Sequence, residues 1–205
     1  MADQLLDPRE PVRFSPRENP DVVFLLRVPQ AADRPRFQRA VRAEGGQTWT
    51  ALQLATTLRS GVETILESEP ALMERFLTRV DEHRDAILNA VTAYRAEPTD
   101  ENLMSMLRVS IPDAGVQEIM DVVGRHYQPF SERLADNETY PSILGLVACR
   151  MFLVGWEGRP VAYRKVAGVV PDDLLNGLTD SEMIQVGSRV TSMMHPNEAR
   201  VKNSD

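Results

Sequence analysis

Residues Tyr140 to Arg164 read YPSILGLVACRMFLVGWEGRPVAYR, and between Ile143 and Val154 the only charge is Arg150. Pro141 suits the first turn of a helix, where its missing N–H has no intrahelical partner. A helix that is apolar around most of its circumference has to be covered on most sides. The run is shorter than the roughly 20 apolar residues that cross a bilayer. It therefore predicts a central buried helix. Gly155 is placed to stop that helix in the left-handed conformation. Trp156, a Glu157-Gly158 turn and a strand-like run from Pro160 to Tyr163 come next.

Working outward, the first 47 residues change texture twice. Met1 to Glu10 is polar. Val12 and Phe14 alternate with polar residues, Ser15 to Pro20 reads as a turn, and Val22 to Val28 is a β-branched and apolar run closed by Pro29. These are two strands of a hairpin. A lone hairpin is marginal in water, so it needs a further partner, and Pro160 to Tyr163 is the candidate. Asp33 to Glu44 predicts a short helix with Phe37, Ala40 and Val41 on one side, stopped by Gly45-Gly46. Its four arginines read as a solvated face, because the first 47 residues carry eight arginines against seven acids.

The middle predicts helices throughout. Thr48 or Thr50 caps one that runs to about Ser68. Ser68-Glu69-Pro70 starts a long amphipathic helix through Tyr94. Pro98-Thr99 opens a short helix to Leu107. Ser110 to Asp113 opens another, with Val116, Ile119 and Val123 on one face, ended or kinked by Pro129. Residues 48–135 carry 14 acids and eight arginines, so their exposed faces are acidic. At the other end, Asp172-Asp173 starts a short helix. The capping box Thr179 to Glu182 opens a last helix that stops before Pro196; the tail Asn197 to Asp205 is polar. The fold class is mainly α: a multi-helix bundle around a central apolar helix, with a small N-terminal β-hairpin. The organisation has three parts: hairpin and short helix in 1–47, helical core in 48–155, then a connector, two closing helices and tail in 156–205.

Chemistry-bearing motifs are scarce. No glycine-rich phosphate loop, paired-histidine zinc motif or nucleophile elbow is present, so the expectation is a protein that is not an enzyme and needs no metal or cofactor. His83, His126 and His195 stand apart in sequence. Asp100-Glu101 and Asp172-Asp173 lie at helix starts, where acids favour the helix dipole. Cys149, the only cysteine, reads as a buried structural thiol in a reducing compartment. A net charge of −7 argues against nucleic acid as a partner, and no apolar run predicts a membrane span. Met-bearing amphipathic helices can hold a partner's apolar helix in a groove.

Three stretches, from the two ends of the chain, carry a family resemblance. FLLRVPQAADRPRFQRAVRAEGG, from Phe24, is similar to the start of tail assembly chaperones of bacteriophages with long, non-contractile tails. There a strand ending in an LRVP-like phrase leads into a helix with an F-x-R-A-V core. FLVGWEGRPVAYR, from Phe152, and VVPDDLLNGLTDSEMIQVGSRVTSMMHPNEARVKNS, from Val169, resemble the family's close: a helix ending at GWEG, a basic connector and two helices before a P-x-E-A tail. The resemblance covers about half the chain. It implies a protein of the infected host's cytoplasm that coats the tape measure protein and keeps it soluble until tail tube protein polymerises around it. Tail tube protein and further copies of the chain itself are the other partners considered. Many family members also have a longer, frameshifted form. Trp156 and Tyr163, aromatics beside a turn, and Arg159 and Arg164, as partners for client acids, are the candidate protein-binding residues. The competing readings are a minor tail or connector protein retained in the virion, and an enzyme whose site carries no familiar motif.

Overall fold

A computed structural model describes Asp7 and residues 9–194. His195, the Pro196 stop, the tail from Asn197 and most of the polar start lie outside the described residues. In chain order the elements are β1 (Val12–Phe14), β2 (Val23–Leu26), α1 (Asp33–Ala43), α2 (Ala51–Ile65), α3 (Pro70–Ala96), α4 (Asp100–Val109), α5 (Ala114–His126), α6 (Gln128–Phe152), β3 (Leu153–Glu157), α7 (Asp172–Leu175) and α8 (Asp180–Met194). The protein is mainly helical with one small antiparallel sheet, as the sequence predicts. It divides into two compact units. A discontinuous unit draws on the segments up to Gln47 and from Thr139 onward; a helical unit is Thr48–Glu138.

In the discontinuous unit the sheet order is β1-β2-β3. Val12 pairs with Leu26 and Phe14 with Phe24, so the expected hairpin forms. Phe24 and Leu26 are buried while Val23 and Leu25 are half-buried, the period of two that a strand imposes. The third strand is not Pro160 to Tyr163 but β3, whose Trp156 pairs with Phe24 and Gly155 with Leu25. Pro160 has no N–H to give to a ladder. Residues 158–163 are tied to β3 by side chains instead: Trp156 Nε1 donates to the Val161 carbonyl at 2.7 Å, and the Tyr163 hydroxyl donates to the Leu153 carbonyl at 2.6 Å.

The buried helix exists, with Val147, Ala148, Cys149 and Phe152 enclosed, but its ends differ from the prediction. α6 starts at Gln128 and holds Pro141 in its interior. There the proline removes one helical hydrogen bond, and the turns on either side carry the helix through. Gly155 is not a left-handed stop; it lies in β3, and a Cβ there would meet Leu25 Cδ1 at 3.0 Å. Gly158 is the residue that turns the chain, at φ +75°, with a would-be Cβ 2.2 Å from the Asp21 carbonyl oxygen. Between α6 and α8 the backbones touch. A Cβ on Gly145 would meet the Met183 carbonyl at 2.5 Å, and one on Gly187 would meet the Gly145 Cα at 2.9 Å.

Around these helices the core joins Phe24, Leu26, Phe37, Val41, Phe152 and Val186. Phe37 meets Phe152 edge-on, centroids 5.8 Å apart. Arg27 lies over the Phe152 ring at 4.7 Å and pairs with Asp33 at 2.6 Å. That hydrogen bond from Arg27 holds the Asp33 carboxyl below its usual range, against the opposing effect of burial.

In the helical unit the predicted caps appear at the expected residues. Thr50 forms a capping box with Gln53, Thr99 accepts from the Asn102 N–H, and Asp113 accepts from the N–H groups of Gly115 and Val116. Pro70 occupies the first turn of α3. Pro129 neither ends nor kinks α5, which stops at His126; the proline sits in the first turn of α6. Leu58, Val62, Val80, Val116, Val123 and Phe130 form the core of this unit.

Candidate protein-binding surface

α4 is the place where the packing is incomplete. Its apolar residues Leu103, Met106 and Val109 are half-covered, and none of its ten residues is buried. On its other side Met104 is 58 % exposed and Leu107 50 %, and Ile111, just past the helix, is 73 % exposed. Residues spaced by three and four lie on one helical face, so Met104 and Leu107 form a stripe that points toward Ile111.

Two clefts lie where α4 ends, the first reaching Ile111 and the second Ser110 and Pro112. One of ≈ 240 Å³ is lined by Arg79, Glu82, His83, Val109, Ile111 and Asp113. The other, ≈ 100 Å³, is walled mainly by Leu54, Leu58, Met120, Phe130 and Pro112, with His83 again at its side. In the first, Arg79 pairs with Asp113 at 3.1 Å. The Val116 N–H and then Arg79 hold the Asp113 carboxyl below its usual range. Burial pushes His83 down, only partly offset by the Asp113 charge. The helical unit as a whole carries sixteen acids against eight arginines, whereas the discontinuous unit is nearly neutral.

The four candidate residues from the sequence all lie in the discontinuous unit. Three come together. Trp156 and Tyr163 meet edge-on with centroids 5.3 Å apart, and Arg159 sits 5.5 Å from the Trp156 ring centroid. Their polar groups are mostly occupied from within, although Arg159 Nε is buried without a hydrogen-bond partner. Arg159 is ion-paired with Glu182 and donates to the Gly177 carbonyl at 2.9 Å, with only 14 % of its side chain exposed. Burial alone would raise the Glu182 carboxyl, but the Thr179 N–H and Arg159 outweigh it and hold it low. Burial pushes the Tyr163 hydroxyl up to about 12. Arg164 stands apart, exposed and paired with Asp173. Beyond it, Val166 and Val169 close a tight turn through Ala167 and Gly168, both at positive φ, and both valines are exposed.

Trp49 was silent in the sequence. Arg133 lies 4.2 Å over its ring, Asp136 accepts its indole N–H at 2.8 Å, and Asn137 binds its backbone on both sides. No local spacing joins residue 49 to residues 133–137, so only the fold reveals this anchor. Burial, and next the Glu182 charge, push the Cys149 thiol up to about 12, so it stays protonated at neutral pH. His83 and His126 lie on different helices, and no group of three metal-ligating side chains forms among the described residues. No helix among them is long and apolar enough to cross a membrane. Comparison of the chain with protein-family models, with curated proteins and with solved structures finds no match in any of the three.

Proposed function

We propose that this chain is a phage tail assembly chaperone that binds the tape measure protein in the cytoplasm of the infected host and keeps it soluble while the tail is built. The observation that carries the reading is the exposure of Met104 and Leu107, on a helix that buries none of its own residues, together with that of Ile111 just past its end. A monomer gains nothing from three large apolar side chains in water at such close spacing; a contiguous exposed patch of this kind serves a partner. A long helical client presents many such segments in turn. Weak contacts repeated along it give avidity without one tight site.

The phrases that resemble the chaperone family fold into the discontinuous unit, while the stripe belongs to the helical unit between them. In this reading the ends of the chain supply the framework and the middle supplies the grip. Trp156, Arg159 and Tyr163 are then part of the framework, since Glu182 and neighbouring backbone carbonyls already use most of their polar groups. Tail tube protein and further copies of the chain remain candidate partners of the assembled complex.

Co-expression with the long tape-measure-like protein encoded nearest to the gene is the test. Soluble client that co-purifies with many copies of the chain is the expected result. A client that stays insoluble beside a folded chain would overturn the reading in favour of a retained tail component.

A further inference from the structure

We infer that the α4 stripe and the clefts beside it receive an amphipathic helix whose apolar side is flanked by lysine and arginine. The inference deepens the chaperone reading by naming the chemistry of the client segment, and rests on it to that extent. Three observations converge within one unit. First, Met104 and Leu107 lie one turn apart on one face of α4 and Ile111 follows just past its end, all three at least half exposed, and an apolar helix face suits another helix.

Second, the clefts have the wrong size for a metabolite. Pockets for drug-sized ligands run to about 300–1,000 Å³; these hold ≈ 240 and ≈ 100 Å³. The smaller, walled by Leu58, Met120 and Phe130, fits one aliphatic side chain of a polymer lying across it. Third, the charge is unbalanced toward acid. The unit has twice as many acids as arginines. Glu97, Asp100 and Glu101 are exposed at the start of α4, whose one base is Arg108; past its end Glu82 and Asp113 line the cleft with Arg79, which pairs with both, so the acid excess lies at the start of the helix. A helix with acidic flanks is repelled there, and one with basic flanks is steered in.

The full chain is titrated with three labelled helical peptides of about 18 residues, roughly 27 Å long. One has a leucine stripe flanked by lysine and arginine. The second has the same stripe flanked by glutamate. The third keeps the basic residues and breaks the stripe. The expected order places the first at least about tenfold tighter than either other peptide, with the advantage over the second collapsing at about 1 M salt, where charges more than about 3 Å apart are screened. Leu107→Asp and Ile111→Asp, both at exposed positions, abolish the binding with circular dichroism unchanged. Val169→Asp, an exposed valine of the other unit, leaves it intact.

Equal binding of the basic and acidic stripes overturns the inference, as does full binding by Ile111→Asp. So does a chain that dimerises through the stripe, becoming monomeric in Leu107→Asp while binding none of the peptides. If the peptides fail but the co-expressed client is soluble, the inference falls and the chaperone reading stands. If the basic peptide binds as expected and the client stays insoluble, the site stands and the chaperone reading falls.

Discussion

In the discontinuous unit Phe24, Phe152, Leu153, Val186 and Val190 are each fully enclosed; in the helical unit α4 encloses none of its ten residues. The first unit also admits backbone against backbone at Gly145 and Gly187 and commits a nearly buried ion pair, Arg159 with Glu182. The second keeps one helix only half-packed, borders it with clefts and concentrates the chain's negative charge. A protein this size has enough core to lock one region tightly and still leave an apolar face uncovered in another. The difference separates residues that hold the shape from residues free to meet something else.

Five substitutions test that separation. The largest effect is expected from Phe152→Ala, which removes the ring that Phe37 and Arg27 pack against. Denaturant unfolding should show a loss of about 3–5 kcal/mol, and a loss below about 1 kcal/mol would mean the enclosure carries little energy.

Arg159→Ala comes next. It strands the Glu182 carboxylate and should cost about 1–3 kcal/mol. The pH dependence has a definite sign. Glu182 has a folded-state pKa below its ordinary 4.5, so its contribution is present above that pH and is lost as pH falls through it toward the lowered value. Glu182→Gln should therefore flatten the stability profile between about pH 5 and pH 3 relative to the parent. An unchanged profile would show that the pair contributes no acid sensitivity.

Smaller again is Thr50→Ala, which deletes one half of the capping box at the start of α2; thermal unfolding should report a loss of about 1 kcal/mol. Smallest is Leu107→Ala, within about 0.5 kcal/mol, because the side chain is already half in water. If Leu107→Ala were as damaging as Phe152→Ala, the contrast between the units would be gone. If it spared stability and weakened client capture, the contrast would sharpen into a division of labour.

Much of this was legible locally. Thr50, Thr99, Asp113 and Thr179 announce helix starts because a cap needs only its next three residues. Val12 and Phe14 announce one strand of a hairpin by alternation, and Val22 to Val28 the other by its β-branched and apolar run. What failed was the run from Ile143 to Trp156. Continuous apolar sequence has no period, so it does not show where helix gives way to strand, and β3 was misplaced onto Pro160 to Tyr163. Pro141 misled for a related reason: its preference for a first turn is strong, yet a long helix with covered flanks tolerates it inside. The exposure of Met104, Leu107 and Ile111 was invisible, since an amphipathic pattern reports that a face is apolar and not whether anything covers it. The internal partner of the group at Trp156 and Arg159, Glu182, was equally invisible, because it is distant in sequence.

The sheet of the discontinuous unit has a consequence in time. Arg13 and Glu157, joined across the strands at 2.8 and 2.5 Å, are 144 positions apart. A ribosome that has released β1 and β2 must still make all of α2 to α5 before β3 emerges. The residues of the helical unit are therefore complete, and able to fold, while the first hairpin still waits for its third strand. The helical unit can complete its fold before the discontinuous unit, which needs both ends of the chain. Pairing across so long a stretch is intrinsically slow, so the nascent chain presents its apolar stripe to the cell before its own framework has closed.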